Sequence, residues 1–201
     1  MTRLGVFGSS FNPPTLGHLV LLGEARWRLD LDRVIAVPTG EAWHKETDGA
    51  PAGAVRQALA EAAFGDSEGI AISGTEVARS GPSFTCETLE EIQSLNPDSQ
   101  ILFLSGADAA LGIGSWHRPE RVLELARFGV APRSGTSRDA VKETFEKLGA
   151  GDRLEFFEMP EVGISSTMVR QRIKAGDPWK HLVPREVAEM IENEGVYGEK
   201  Q

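Results

Sequence analysis

Two stretches, one near each end of the chain, carry the residue types that handle anions. The first is Gly8-Ser9-Ser10-Phe11-Asn12-Pro13-Pro14-Thr15-Leu16-Gly17-His18, which follows the apolar run Leu4 to Phe7. Small, donor-rich residues after a buried strand let a ligand approach the backbone closely. Pro13 and Pro14 exclude helix before Thr15. From Gly17 onward Leu19, Leu22, Ala25 and Leu29 recur at helical spacing. Strand, small-residue loop and helix N-terminus aim free N–H groups and a dipole end at one point, a phosphate-handling design. His18 falls in the first turn of that helix, facing the point. The second stretch, Gly163-Ile164-Ser165-Ser166-Thr167-Met168-Val169-Arg170, repeats the logic. Ser165, Ser166 and Thr167 put hydroxyls at a helix N-terminus, and Arg170 follows Thr167 by about one turn, within reach of the same anion.

The elements that must position these residues alternate. Strands are expected at Leu4–Phe7, Arg33–Pro38, Gly69–Ser73, Gln100–Leu104, Phe128–Pro132 and Leu154–Glu158, the last shorter and less apolar and so nearer an edge. Helices are expected from Gly17, over Ala54–Phe64, over Ser83–Leu95 with Ser83 as its cap, and over Pro119–Ala126, Arg138–Leu148, Ser165–Ala175 and Pro184–Glu194. The tail from Gly195 to Gln201 is expected to fray. Strict alternation with continuously apolar strands implies an α/β architecture, a Rossmann-like, doubly wound, mostly parallel sheet with helices on both faces. Crossovers should be right-handed, with ligands beyond the carboxyl ends of the strands where the strand order reverses. Gly8, Thr39, Glu76, Gly106 and the loop after Glu158 fall at those ends. No repeat, low-complexity tract or linker divides the chain, so one domain over 1–201 is expected.

Composition narrows the partners. Thirty acidic and 21 basic residues leave a net charge of −9, which would repel a nucleic-acid backbone but not a mononucleotide that needs a few local cations. The lone Cys86 forms no internal disulfide, and the compartment expected for such a chain is a reducing cytoplasm. The start of the chain lacks a charged segment followed by an apolar one, and no apolar run nears membrane-spanning length, so no membrane association is expected. Whether the chain forms a homo-oligomer stays open. Cys86 reads as a small buried filler without thiol chemistry.

The first stretch is neither the dinucleotide fingerprint nor a P-loop, since no third glycine follows and no Gly-Lys-Ser/Thr closes it. It resembles, almost letter for letter, the T/H-x-G-H signature of the nucleotidylyltransferases. Gly8 to His18 in particular is similar to the opening of the bacterial nicotinate-nucleotide adenylyltransferases. Ser9 stands where that family usually has a second glycine. If the position needs positive φ, Ser9 is strained; if it needs only small size, little changes. Ile164 to Arg170 matches the same family's I-S-S-T-x-x-R signature. Arg79-Ser80-Gly81-Pro82-Ser83-Phe84-Thr85-Cys86-Glu87-Thr88-Leu89 resembles its R-x-G-x-S-Y-T-x-D-T-L, with Phe84 for Tyr and Glu87 for Asp. Gly106-Ala107-Asp108 and Ser115-Trp116-His117 look like its G-A-D and T-W-H/Y segments. His44-Lys45 keeps half of a P-P-H-K-like segment, while Ala42-Trp43 departs from its prolines.

What the resemblance implies is an enzyme that transfers AMP from ATP to nicotinate mononucleotide, giving deamido-NAD and pyrophosphate. It makes His18, Thr15 and Arg170 the catalytic set. His18 would donate a hydrogen bond to a phosphate oxygen whose charge grows as the α-phosphorus is attacked. Gly8, Ser9, Ser10, Phe11, Lys45, Gly106, Ser165, Ser166 and Thr167 would bind ATP. Phe84, Thr85, Asp108, Trp116 and His117 would bind nicotinate mononucleotide, with Asp108 accepting ribose hydroxyls and Trp116 stacking on the pyridine. Few carboxylates line the motifs, so no protein metal site is expected, and Mg²⁺ would be held mainly by the ATP phosphates and water. The alternatives are a nucleotidylyltransferase with another acceptor, nicotinamide mononucleotide or pantetheine phosphate, and a catalytically silent nucleotide-binding protein.

Overall fold

The computed structural model describes residues 2–42, 50–132 and 137–198. The first half runs β1 (Thr2–Ser9), α1 (Leu16–Arg28), β2 (Arg33–Pro38), β3 (Glu41–Ala42), α2 (Gly53–Phe64), β4 (Ile70–Ile72) and α3 (Thr75–Ala78). Then come β5 (Pro82–Ser83), α4 (Thr85–Leu95), β6 (Ser99–Gly106), α5 (Ala107–Leu111), α6 (Pro119–Leu125) and β7 (Ala126–Ala131). The chain closes with α7 (Arg138–Lys147), β8 (Leu154–Phe156), α8 (Ser166–Ala175) and α9 (Arg185–Glu194). Six strands form one sheet in the order β4-β2-β1-β6-β7-β8, and every neighbouring pair is parallel. This is the doubly wound α/β arrangement that the alternating pattern implies, with β8 at an edge.

The strands are apolar on both faces, and the period of two sorts their side chains into two cores. Val34, Ala36, Leu102 and Leu104 join Leu22, Leu59, Phe64 and Val187 on one side of the sheet. Ile35, Val37, Ile101 and Phe103 join Leu89, Ile92, Val122 and Phe145 on the other. Both cores are aliphatic to aromatic, so the hydrophobic effect holds helices to each face.

Two expectations need correction, and one helix is additional. Ser83 does not cap a helix. It lies in β5, whose two residues pair in parallel with Glu41 and Ala42 of β3, and α4 starts at Thr85 with Phe84 as its N-cap. The Pro82–Ser83 backbone is drawn into extended pairing by a strand some 40 residues away in sequence, a tertiary effect that local capping rules miss. Gly106 does end its strand, and a short helix that the sequence pattern does not announce, α5, begins at Ala107 and runs through helix-forming Ala109, Ala110 and Leu111 to a stop at Gly112. The tail is not frayed as far as it is described. Gly195 caps α9 in the left-handed region at φ 64°, Val196 N–H donates to Ile191 O at 3.1 Å, and Val196 and Tyr197 pack on the core.

After β2 the chain passes tightly under α3. A Cβ at Gly40 would collide with the Glu76 carbonyl and sit 2.8 Å from Ser83 Oγ. Since the obstacle is backbone, relief requires the β2 loop and α3 to separate. Gly40→Ala is expected to destabilise the protein by about 1–3 kcal/mol, seen as a lower urea midpoint at unchanged m-value. An unchanged midpoint would show that the two segments part without resistance.

Candidate active site

A cavity of about 2250 Å³ opens over the carboxyl ends of β1 and β6. These strands are neighbours, yet their crossovers lead to opposite edges of the sheet, so this is where the strand order reverses. Gly8 ends one side of the floor and Gly106 the other, and a Cβ at either would meet nothing within 4 Å. The missing side chains leave backbone open to whatever fills the space.

Directly behind Ser9 of the cavity lining stands His18. Thr15 N–H donates to its Nδ1 at 3.1 Å. A backbone N–H can only donate, so Nδ1 is the unprotonated nitrogen and the neutral ring carries its proton on Nε2. Nε2 points to Ser9 Oγ at 3.4 Å, and Ser9 lines the cavity. The ring packs against Phe7 and Phe11, with centroids 6.1 and 5.3 Å away. Burial pushes its pKa from 6.5 down to about 4. Thr15 is itself buried, with its hydroxyl 3.0 Å from the same Nδ1, so it acts on the cavity through His18. Ser9 keeps strand geometry, paired with Pro38. The left-handed backbone of this loop falls on Phe11 instead, at φ 45°, and Phe11 is fully buried between Phe7 and Phe64.

One wall of the cavity is α8. Ser165 caps it, accepting from Met168 N–H at 3.2 Å. Ser166 Oγ donates to Pro13 O and Arg170 Nη1 to Asn12 O, both at 2.7 Å. Arg170 Nη2 also reaches Thr167 Oγ1 at 3.3 Å. Ser166, Thr167 and Arg170 line the cavity beside Ser10 and Lys174. The two phosphate-type helix ends therefore meet, stitched together by the carbonyls of the loop between β1 and α1.

The model of the cytidylyltransferase-like family matches residues 6–172. A probable nicotinate-nucleotide adenylyltransferase from Carboxydothermus hydrogenoformans is 36% identical over 197 residues, covering 97% of this chain and 98% of that protein. Another, from Saccharopolyspora erythraea, is 35% identical over 195 residues, covering 97% and 89%. The chain belongs to the nicotinate-nucleotide adenylyltransferase family. Its fold is also that of a Plasmodium falciparum nicotinic acid mononucleotide adenylyltransferase solved with NaAD, at a TM-score of 0.81 and 17% identity over 98% of each chain.

The opposite end of the cavity holds the remaining motifs of this family member. Thr85, at the first turn of α4, lines it together with Asp108 and Trp116. Trp116 meets Phe103 edge-on, with centroids 5.5 Å apart and planes at 80°. Phe84 and His117 face each other, with ring centroids 4.2 Å apart, and flank the cavity rather than lining it. Trp43, His44 and Lys45 lie outside the described residues.

Residues that the motifs passed over also converge here. Arg56 is 5% exposed, and its guanidinium donates to Ser10 O and Gly40 O at 2.9 Å and to Pro51 O at 3.2 Å. Burial lowers its pKa, opposed by Tyr197 and Glu76. The signal was present in the sequence: Arg56, Leu59, Ala60 and Ala63 form one stripe at helical spacing, and a charge on an apolar stripe asks for a buried partner. Tyr197 and Ser105 line the cavity too, brought there only by the fold, and Glu76 joins them from the strand end where the sequence pattern puts it.

The low pKa of His18 has a consequence for stability. The unfolded chain protonates this histidine near pH 6.5, whereas the folded chain keeps it neutral down to about 4. Between those values the unfolded state binds more protons, so stability falls as pH is lowered through the window. In His18→Gln the decline between pH 6.5 and 4 should be shallower than in the unaltered protein, measured by urea midpoints. Parallel profiles would show that His18 titrates as an ordinary histidine.

Proposed function

We infer that the chain transfers AMP from ATP to nicotinate mononucleotide, releasing pyrophosphate and forming deamido-NAD. The observation that carries this reading is one cavity with an open glycine floor, lined by Ser9, by Ser166, Thr167 and Arg170 of α8, and by Thr85, Asp108 and Trp116, with His18 directly behind Ser9. One end suits a triphosphate and the other a pyridine nucleotide, which two substrates reacting with each other require.

ATP enters as its Mg²⁺ complex. The cation would be carried mainly by the triphosphate and water. The triphosphate lies across Gly8 between the α1 and α8 termini, where N–H groups, hydroxyls and Arg170 accept its charge. A phosphate oxygen of nicotinate mononucleotide attacks the α-phosphorus in line, the new P–O bond forms, and the bond to the pyrophosphate oxygen breaks. The neutral His18 gives its Nε2–H to the non-bridging oxygen on which charge accumulates, needing no change of protonation. Thr15 holds the ring in the tautomer that makes Nε2 the donor. Arg170 keeps Nη1 on the Asn12 carbonyl, as Ser166 keeps the Pro13 carbonyl, and offers its remaining guanidinium N–H groups to phosphate oxygens.

Pyrophosphate release from ATP, with each candidate mononucleotide supplied in turn, tests the reading directly. His18→Ala should lower kcat by about 10²–10³-fold, by analogy with loss of one oxyanion donor, while KM moves far less. Wild-type turnover in the folded variant would remove His18 from the mechanism.

Acid should be preferred to amide. The first N–H groups of α4 lack intrahelical partners and, with the Thr85 hydroxyl, offer donors to a carboxylate. Hydrogen bonds to charged groups contribute about 1.5–3 kcal/mol each, and an amide turns its own NH₂ on one of these donors. The kcat/KM ratio of nicotinate over nicotinamide mononucleotide should therefore exceed about 10². Trp116→Ala should weaken both substrates alike and leave that ratio in place. A ratio near one, or a ratio abolished by Trp116→Ala alone, would overturn this account of specificity.

A further inference from the structure

Glu76 is a buried carboxylate inside the cavity for which the reaction has no use. It is 7% exposed, and its neighbours Thr88 and Ser83 are 3% and 5% exposed. All three line the cavity beside Thr85. Thr88 Oγ1 donates to Glu76 Oε1 at 2.7 Å, and Gly40 N–H donates to Oε2 at 3.4 Å. Thr88 lies on the first turn of α4, one turn after the Phe84 N-cap. Gly40 belongs to the loop after β2, and its carbonyl is held by Arg56, which also holds Ser10 of the nucleotide loop. Glu76 thus stands where the acceptor helix, the loop after β2 and, through Arg56, the nucleotide loop are joined.

Stability does not account for a carboxylate here. Burial raises its pKa, against the hydrogen bonds from Thr88 and Gly40 and the nearby Arg79 cation. An ionisable group in such a place is weak evidence for added stability, and an apolar residue of like volume would often serve the fold as well. Its two oxygens do something an apolar side chain cannot: they accept from two donors on separate segments and fix the distance between them.

We propose that Glu76 is a positioning residue for the acceptor end of the cavity, setting the first turn of α4 against the loop after β2 so that the turn's N–H groups meet the carboxylate of a pyridine mononucleotide. The inference rests on the acceptor reading above. Because Glu76 bonds Thr88 of the acceptor helix directly and reaches the nucleotide loop only by way of Gly40 and Arg56, its loss should fall mainly on the acceptor.

The test is steady-state kinetics on Glu76→Ala, Thr88→Val, Thr88→Ser and the double variant Glu76→Ala/Thr88→Val. Thr88→Val removes only the hydroxyl and keeps the side-chain shape, so it stands if Glu76→Ala does not fold. Glu76→Ala and Thr88→Val should each raise the KM for nicotinate mononucleotide by about tenfold, the effect of one hydrogen bond. The KM for ATP and kcat at saturating acceptor should stay within about threefold. Thr88→Ser should restore the acceptor KM, and the double variant should be no worse than the worse single one, since both remove the same link. Equal rises in both KM values, additive effects in the double variant, or failure of Thr88→Ser to restore would overturn the proposal. A wild-type protein that does not use nicotinate mononucleotide would instead overturn the acceptor reading, so the two failures are told apart.

Discussion

Two carbonyl oxygens, those of Asn12 and Pro13, hold the site together. Arg170 and Ser166 take them at 2.7 Å from positions 158 and 153 residues further along the chain. A loop between a strand and a helix has few partners of its own, and one containing Phe11 at φ 45° adopts a conformation that a bulky residue rarely enters unaided. The bonds from α8 and the packing of Phe11 among Phe7, Phe64 and His18 hold it in that shape. The same bonds bring two helix N-termini to one volume. Each terminus alone offers a weak anion site; together they offer one with hydroxyls, N–H groups and a guanidinium on two sides.

The sheet supplies the rest of the geometry. Parallel strands buried on both faces leave their carboxyl ends as the place where irregular backbone can gather without spoiling a core. At the reversal between β1 and β6 no crossover covers the strand ends, and Gly8 and Gly106 add no side chains to fill the gap. The cavity is therefore a consequence of topology, and its chemistry comes from the loops and helix starts that topology places around it.

Charges of both signs line the cavity. The chain carries −9 in total, yet Arg170 and Lys174 line the cavity and the buried Arg56 lies beside it, its guanidinium on three carbonyls. Carbonyl dipoles satisfy the Arg56 donors without cancelling its charge, while Glu76, Asp108 and Glu194 bring acidic charge to the same lining. Glu76 is met by Thr88, Gly40 N–H and Arg79, and its charge also acts on Arg56.

The alternation of apolar strands and helices was legible in the sequence because periodicity is a local property, and the fold class followed from it. The anion-handling character of Gly8 to His18 and Ser165 to Arg170 was legible for the same reason, since a helix start with hydroxyls acts within one turn. That the two stretches share one site is a fact of long-range hydrogen bonds, and no spacing rule contains it. Ser83 has the residue type of a cap, yet β3, far back in the chain, pairs with it as strand. The tail was taken to fray because it is short and terminal, while Tyr197 finds a core and a cavity to join. Arg56, Glu76 and Thr88 carry meaning only through partners on other segments: a buried charge is defined by what surrounds it, and the surroundings are assembled by the fold.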